Sequence, residues 1–145
     1  MFEEELELAL KEAEKFHGHL GPFVVIGVRM GKIAKRILNS TNSENDALQV
    51  TAELPLLTPF SCVLDGIQIA TQCTVGNQKL RIKNSQKEIT AYFQHAEPGK
   101  ALKISVNPKI TEALINKLSQ GFSNEKLAWE IAHTPENQLF TIEKP

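Results

Sequence analysis

Apolar residues recur with helical spacing along the first fifteen positions, where Phe2, Leu6, Leu8, Leu10 and Ala13 stand among Glu and Lys. The pattern predicts an amphipathic helix over 2–15. It breaks at Phe16-His17-Gly18-His19, where glycine interrupts the run. Pro22 suits the first turn of a second helix, because the N–H it lacks has no intrahelical partner there. That helix carries Val24, Val25, Val28, Met30, Ile33 and Ile37, with Gly27 and Gly31 one turn apart. Each glycine costs about 1 kcal/mol relative to Ala inside a helix, so close backbone packing against a neighbour is expected at both.

Residues 40–47 read as a polar loop, and 49–54 alternate like a strand. Thr58-Pro59 reads as the cap and first position of a helix that continues over 61–71. Gly76-Asn77 marks a turn. Three strands are predicted next, over 80–83, 88–95 and 101–107, the last two joined by Glu97-Pro98-Gly99. Pro108 opens a helix with Ile110, Leu114, Ile115 and Leu118 on one side, and Gly121 closes it. A further helix follows over 123–132, capped by Ser123 or Asn124, and 138–143 reads as a short strand. No internal repeat or long linker divides the chain. The expectation is one α+β domain over 1–145, with N-terminal helices, a mainly antiparallel sheet and C-terminal helices.

Composition narrows the functional classes. The chain has 145 residues, 41% hydrophobic and 23% charged, as an ordinary globular domain does. Lys and Arg number 16 against 17 Asp and Glu, giving a net charge of -1. No basic excess is present to condense on phosphates, so nucleic acid is not an expected partner. No apolar run reaches bilayer length, and the acidic start at Glu3-Glu4-Glu5 is unlike a secretory signal. A cytoplasmic location with no membrane contact is therefore expected. Cys62 and Cys73 stand eleven residues apart, mostly within one predicted helix. At about 1.5 Å per residue that is roughly 16 Å, so they are read as reduced thiols.

Two short segments hold the candidate chemistry. His17 and His19 flank Gly18 in a connection read as non-helical, where residues two apart point to one side. Both imidazoles then face one point, as ligands of zinc, nickel or iron do. The competing reading has one histidine capping the preceding helix and the other meeting a backbone carbonyl. Cys62 and Asp65 share one face near a helix N-terminus, where the dipole is expected to lower a thiol pKa. Against this, reduced cysteine is often a small buried hydrophobe, and Asp65 is equally readable as a surface carboxylate. Cys73, Thr74 and Asn77 follow the same helix as candidate ligand-binding positions, with turn formation as the alternative for Asn77. His95 and His133 are read as structural or exposed, and Trp129 as a packing residue.

Phe16-His17-Gly18-His19-Leu20-Gly21-Pro22, followed by an apolar helix with Gly27 and Arg29-Met30-Gly31, resembles the N-terminal motif of the FmdE family of formylmethanofuran dehydrogenase proteins. The segment from Ser61-Cys62-Val63-Leu64-Asp65-Gly66 through Thr71-Gln72-Cys73-Thr74-Val75-Gly76-Asn77 is similar to that family's second motif. The resemblance covers roughly residues 5 to 120. It implies an α+β homodimer in which the two motifs meet at a cleft able to hold a metal ion. His17, His19, Cys62, Asp65 and Cys73 fall on the family's polar motif positions. Gly21 stands where the family commonly has cysteine, which weakens both metal affinity and any cysteine redox step. No cysteine follows Cys73, so the cysteine-rich zinc module of many relatives is expected to be absent.

Three functions compete on these grounds. In the first, His17, His19 and Cys62 hold a divalent transition metal and Asp65 acts catalytically, orienting a ligand or moving a proton, in one-carbon or redox metabolism. In the second, the domain is a non-catalytic homodimer docking on a molybdenum or tungsten formylmethanofuran dehydrogenase complex. The third is a small-molecule module using Thr74 and Asn77.

Overall fold

The computed structural model describes residues 2–39, 48–95 and 99–144. The loop read at 40–47 lies outside the described residues, as do Glu97 and Pro98 of the predicted turn; Gly99 is described, with φ +85.

Helix α1 (Phe2–His17) buries Leu6, Ala9, Leu10 and Ala13, spaced i, i+3, i+4 and i+7. Leu8 does not share that stripe. It lies about 200° round the helix from Leu6 and is 60% exposed. Helix α2 (Pro22–Leu38) starts with proline in its first turn and ends at Asn39 in the left-handed region, φ 54. It is buried nearly all round, which makes it the central element of the core.

Strand β1 (Gln49–Leu54), helix α3 (Cys62–Thr71) and strand β2 (Leu80–Asn84) form a crossover unit whose strands pair in parallel. The helix between them is what a parallel connection requires. β3 (Thr90–Gln94), β4 (Ala101–Val106) and β5 (Phe140–Glu143) complete a five-stranded sheet of order β2-β1-β3-β4-β5, antiparallel outside the first pair. The helices α4 (Pro108–Ser119), α5 (Asn124–His133) and the single turn α6 (Glu136–Leu139) lie between β4 and β5 in the chain. The architecture is the α+β arrangement the sequence pattern predicts. Val50, Ala52, Leu54, Ala91, Phe93, Leu102 and Ile104 point into the core with α2 and α3, whereas Gln49, Arg81, Tyr92 and Gln94 on the opposite face are exposed.

Two local expectations change. Ser123, not Asn124, caps α5, accepting from the Lys126 N–H at 3.0 Å. Thr58-Pro59 does not start α3. The chain instead winds in through turns in which Ser61, Cys62, Val63 and Leu64 donate to Leu57, Pro59, Phe60 and Ser61. These bonds satisfy N–H groups that a side-chain cap would otherwise take, and α3 begins at Cys62.

The crossing of α2 and α3 positions everything that follows. A Cβ added at Gly27 would lie 2.0 Å from the Val63 carbonyl oxygen, and one at Gly66 would lie 2.1 Å from the Val24 oxygen. A Cβ on Gly31 would come within 2.6 Å of the Ala70 Cβ. Backbone therefore meets backbone along a seam of small residues, in agreement with the expectation from the two glycines of α2. Among the described residues no helix is long and apolar enough to cross a membrane.

Candidate functional site

His17 is the last residue of α1, and Gly18 follows in the left-handed region, φ +98, with its N–H on the Glu14 carbonyl at 2.8 Å. This glycine closure reverses the chain at once. It sets the His17 and His19 rings 4.7 Å apart, centroid to centroid, inclined at 44°. The two imidazoles thus come together as expected from sequence, but by a helix end and a left-handed glycine rather than by an extended segment.

Asp65, in the first turn of α3, meets His17 across the helix pair, its Oδ2 2.5 Å from Nδ1. An ionised carboxylate only accepts, so Nδ1 carries the hydrogen and donates. His17 is only 11% exposed in its side chain. Its Nε2 is buried with no hydrogen-bond partner. One turn further along α3, Gln68 donates Nε2 to Asp65 Oδ1 at 3.4 Å, while its Oε1 accepts from the Val75 N–H at 3.2 Å. A polar chain therefore runs from His17 through Asp65 and Gln68 to the turn after α3.

Cys62 lies one turn before Asp65 and is half-buried. Burial pushes its thiol pKa up, and the Asp65 carboxylate adds to the rise. This reverses the depression expected from the helix N-terminus. The α3 N–H groups are already taken by the lead-in turns, and the nearest charge is negative. The sign follows directly: the folded state holds the thiol proton more tightly than the unfolded chain does. Stability from this group is complete below the ordinary thiol range and declines as pH rises through the raised pKa. Alkylation by iodoacetamide at neutral pH should be slower at Cys62 than at a free thiol. Asp65→Asn should speed it; a slower or unchanged rate would contradict the electrostatic origin.

The remaining predicted positions lie at the other end of α3. Cys73 is buried in the core, with its Sγ on the Leu48 carbonyl at 3.2 Å. Thr74 and Asn77 bond chiefly within their own turn. Asn77 Oδ1 accepts from the N–H groups of Thr74 and Lys79, its Nδ2 donates to Gln72 O, and its N–H reaches Thr74 Oγ1. The structure thus brings His17, His19 and Asp65 together with Cys62 beside Asp65, and leaves Cys73, Thr74 and Asn77 as a separate group. Trp129 packs against the core and stacks on the exposed His133, with centroids 6.0 Å apart.

Two neighbours escaped the sequence reading. Gln68 was legible, since it stands three residues from Asp65 on one helix face. Asn124 was not. A Cβ on buried Gly21 would lie 3.3 Å from Asn124 Oδ1 and 3.5 Å from His19 Nε2, which puts α5 beside the histidines. For a metal ion, the unpartnered Nε2 of His17 fits the role of a ligand whose other ring nitrogen is fixed by a carboxylate. Among the described residues, however, no group of three or more His, Cys, Asp or Glu side chains is assembled to hold one. Two imidazoles are in place and the third protein donor is not.

Known proteins resemble this same region. A curated relative from Archaeoglobus fulgidus, described as a probable S-adenosyl-L-methionine-binding protein, is 28% identical over 153 aligned residues. The match takes in 90% of this chain but 40% of that protein, so the chain spans well under half of the relative's length. A crystal structure of a tungsten formylmethanofuran dehydrogenase FmdE-like protein from Syntrophus aciditrophicus superposes with a TM-score of 0.64 at 18% identity. It covers 95% of this chain and 70% of that one, and shows a shared fold. The family model described as FmdE, Molybdenum formylmethanofuran dehydrogenase operon, matches residues 16–141. That span includes both histidines, the Cys62–Asp65 turn and every strand of the sheet except the last two residues of β5, and the chain belongs to the FmdE family.

Proposed function

We propose that this FmdE-family domain binds a divalent transition metal, zinc, nickel or iron, through the paired imidazoles of His17 and His19. The observation that carries this reading is the state of His17. Buried polar atoms are almost always paired. Here Nδ1 is held by Asp65 while Nε2 is buried and bare. An imidazole fixed in this way presents one lone pair in one direction, which suits borderline metals. Asp65 then acts on the ion through His17, fixing its tautomer and holding the proton at Nδ1. A bound ion would supply Lewis-acid chemistry to a ligand at the histidine pair. The family's operon description supports a place in formylmethanofuran, one-carbon or redox metabolism.

Gly21 favours a second reading. The motif cysteine would have stood beside His19 Nε2, and without it the domain serves as an accessory homodimer on a molybdenum or tungsten formylmethanofuran dehydrogenase complex.

Elemental analysis of protein purified without an affinity tag separates the two. The metal reading expects about one ion per chain, lost in a His17→Ala/His19→Ala variant whose circular dichroism is unchanged. Metal-free wild type that also fails to take up added zinc, nickel or iron overturns it. Co-purification of the larger dehydrogenase with such metal-free protein supports the accessory role. S-adenosyl-L-methionine, suggested by the Archaeoglobus relative's name, belongs in the same assay. A Tm increase with that compound in both wild type and the double variant would assign ligand binding elsewhere in the domain.

A further inference from the structure

A carboxylate turns easily about its last side-chain torsion, so a single bond to His17 does not fix the plane of Asp65. Gln68, one turn further along α3, supplies a second contact. Its Nε2 donates to Asp65 Oδ1 at 3.4 Å, while Oδ2 faces His17 Nδ1 at 2.5 Å. With one oxygen held from each side, the carboxylate keeps one orientation. Gln68 is itself a long, half-buried side chain with several rotatable bonds, and it positions nothing unless it is anchored.

The anchor is a backbone N–H. Gln72 ends α3 in the left-handed region, φ 58, with its N–H on the Gln68 carbonyl at 2.9 Å. This closure reverses the chain and returns Val75 to Gln68, whose Oε1 accepts from the Val75 N–H at 3.2 Å. Asn77 keeps the turn in shape. Its Oδ1 accepts from the Thr74 and Lys79 N–H groups, and its Nδ2 donates to the Gln72 carbonyl. The Leu80 N–H, on the Thr74 carbonyl at 3.1 Å, ties the same turn to β2. The Val75 N–H can only donate and an ionised carboxylate can only accept, so the Gln68 amide fits between them one way round. Turned over, it would set donor against donor at Val75 and oxygen against oxygen at Asp65.

We propose that Gln68 is a positioning residue for His17. Anchored on the turn that Asn77 shapes, it holds the Asp65 carboxylate in the orientation that keeps the hydrogen on Nδ1 and aims the bare Nε2 in one direction. This role rests on the reading of His17 as the imidazole that binds a ligand. It gives Thr74 and Asn77 a task as supports for the histidine site, at the far end of α3 from it.

Long-range 1H–15N NMR of the full chain without metal, at a pH where the ring is neutral, tests the proposal. Wild type is expected to show one set of His17 ring signals, with the hydrogen on Nδ1. Gln68→Met keeps length and helix preference but removes the amide. It should move the two ring nitrogen shifts toward each other as the hydrogen divides between them. Zinc affinity should fall by about 3- to 10-fold, short of the roughly 10- to 100-fold that follows loss of a carboxylate behind a ligand. Asn77→Ala leaves Gln68 and Asp65 in place but frees the turn, and should move the same signals the same way by a smaller amount. Gln72→Met is the control, since that amide donates to the Ile69 carbonyl, and it should leave the ring signals unchanged. Unchanged ring signals in Gln68→Met, even with a lower Tm, would reduce Gln68 to helix-end packing and overturn the proposal, as would an equal change in Gln72→Met. Movement in Gln68→Met but not in Asn77→Ala overturns the part played by the turn. Should Gln68→Met fail to fold, Asn77→Ala decides by the same signals. The ring readout needs no ion: wild type with its hydrogen on Nδ1 that takes up no metal overturns the metal reading alone, and unchanged signals in Gln68→Met overturn the positioning role alone.

Discussion

Gly27→Ala is expected to cost about 3 kcal/mol or more of folding stability, the upper range for forcing an extra carbon into a packed core. Helix propensity works in the opposite direction, since alanine is favoured over glycine by about 1 kcal/mol. Packing decides the sign because the new Cβ would lie 2.0 Å from the Val63 oxygen and 2.9 Å from the Gly66 Cα. Neither atom belongs to a side chain that can rotate away, so the two helices would have to separate. Gly66→Ala meets the same seam from the other side and should behave alike. A Cβ on Gly76, whose nearest neighbour would be Thr74 Oγ1 at 3.8 Å, provides the control and should be nearly neutral. Urea or guanidinium unfolding gives the comparison directly. For a domain whose total stability is about 5–15 kcal/mol, the loss at Gly27 should lower Tm by roughly 10 °C. A Gly27 variant as stable as the Gly76 variant would refute the backbone contact between α2 and α3.

Asp65→Asn should reduce metal affinity about 10- to 100-fold, the usual effect of removing the carboxylate behind a ligating histidine. The amide keeps the size of the side chain and can still accept from His17 Nδ1, but it lacks the negative charge that makes the imidazole a better donor. Competition titration against a chelator reads this change without any assumption about turnover. Gly21→Cys should act in the opposite direction. Its Cβ would fall 3.5 Å from His19 Nε2, and the closest obstacle is the Asn124 side-chain oxygen at 3.3 Å, on an exposed residue. A thiolate added there supplies the donor that is missing from the pair of imidazoles, and an increase of at least about tenfold is expected. An unchanged affinity in both variants would mean that any bound metal lies elsewhere.

Much of the fold was legible in hydrophobic spacing. The positions Leu6, Leu10 and Ala13 of the first helix, the alternation along 49–54 and the Pro108 and Gly121 boundaries are local patterns, decided within a turn or two by burial and backbone constraint. Leu8 shows the limit of that reading: an apolar residue on the wrong side of the helix is counted by eye and left in solvent by geometry. Thr58-Pro59 shows another, because successive backbone turns can replace a cap. The glycines of α2 signalled a close neighbour, though nothing in their spacing named α3.

The candidate site divides along the same line. The order of residues is enough to establish which chemical groups are available: two imidazoles around a glycine, a thiol and a carboxylate one turn apart, and an asparagine in a turn. It is also enough to establish that Gly21 carries no thiol. Folding was needed to bring Asp65 to His17, forty-eight positions away, because the two meet only where the end of α1 packs against the first turn of α3. Burial and the Asp65 charge likewise set the direction of the Cys62 shift, against the local effect of a helix end. Local spacing reports what a residue can face along its own element; packing determines what it meets.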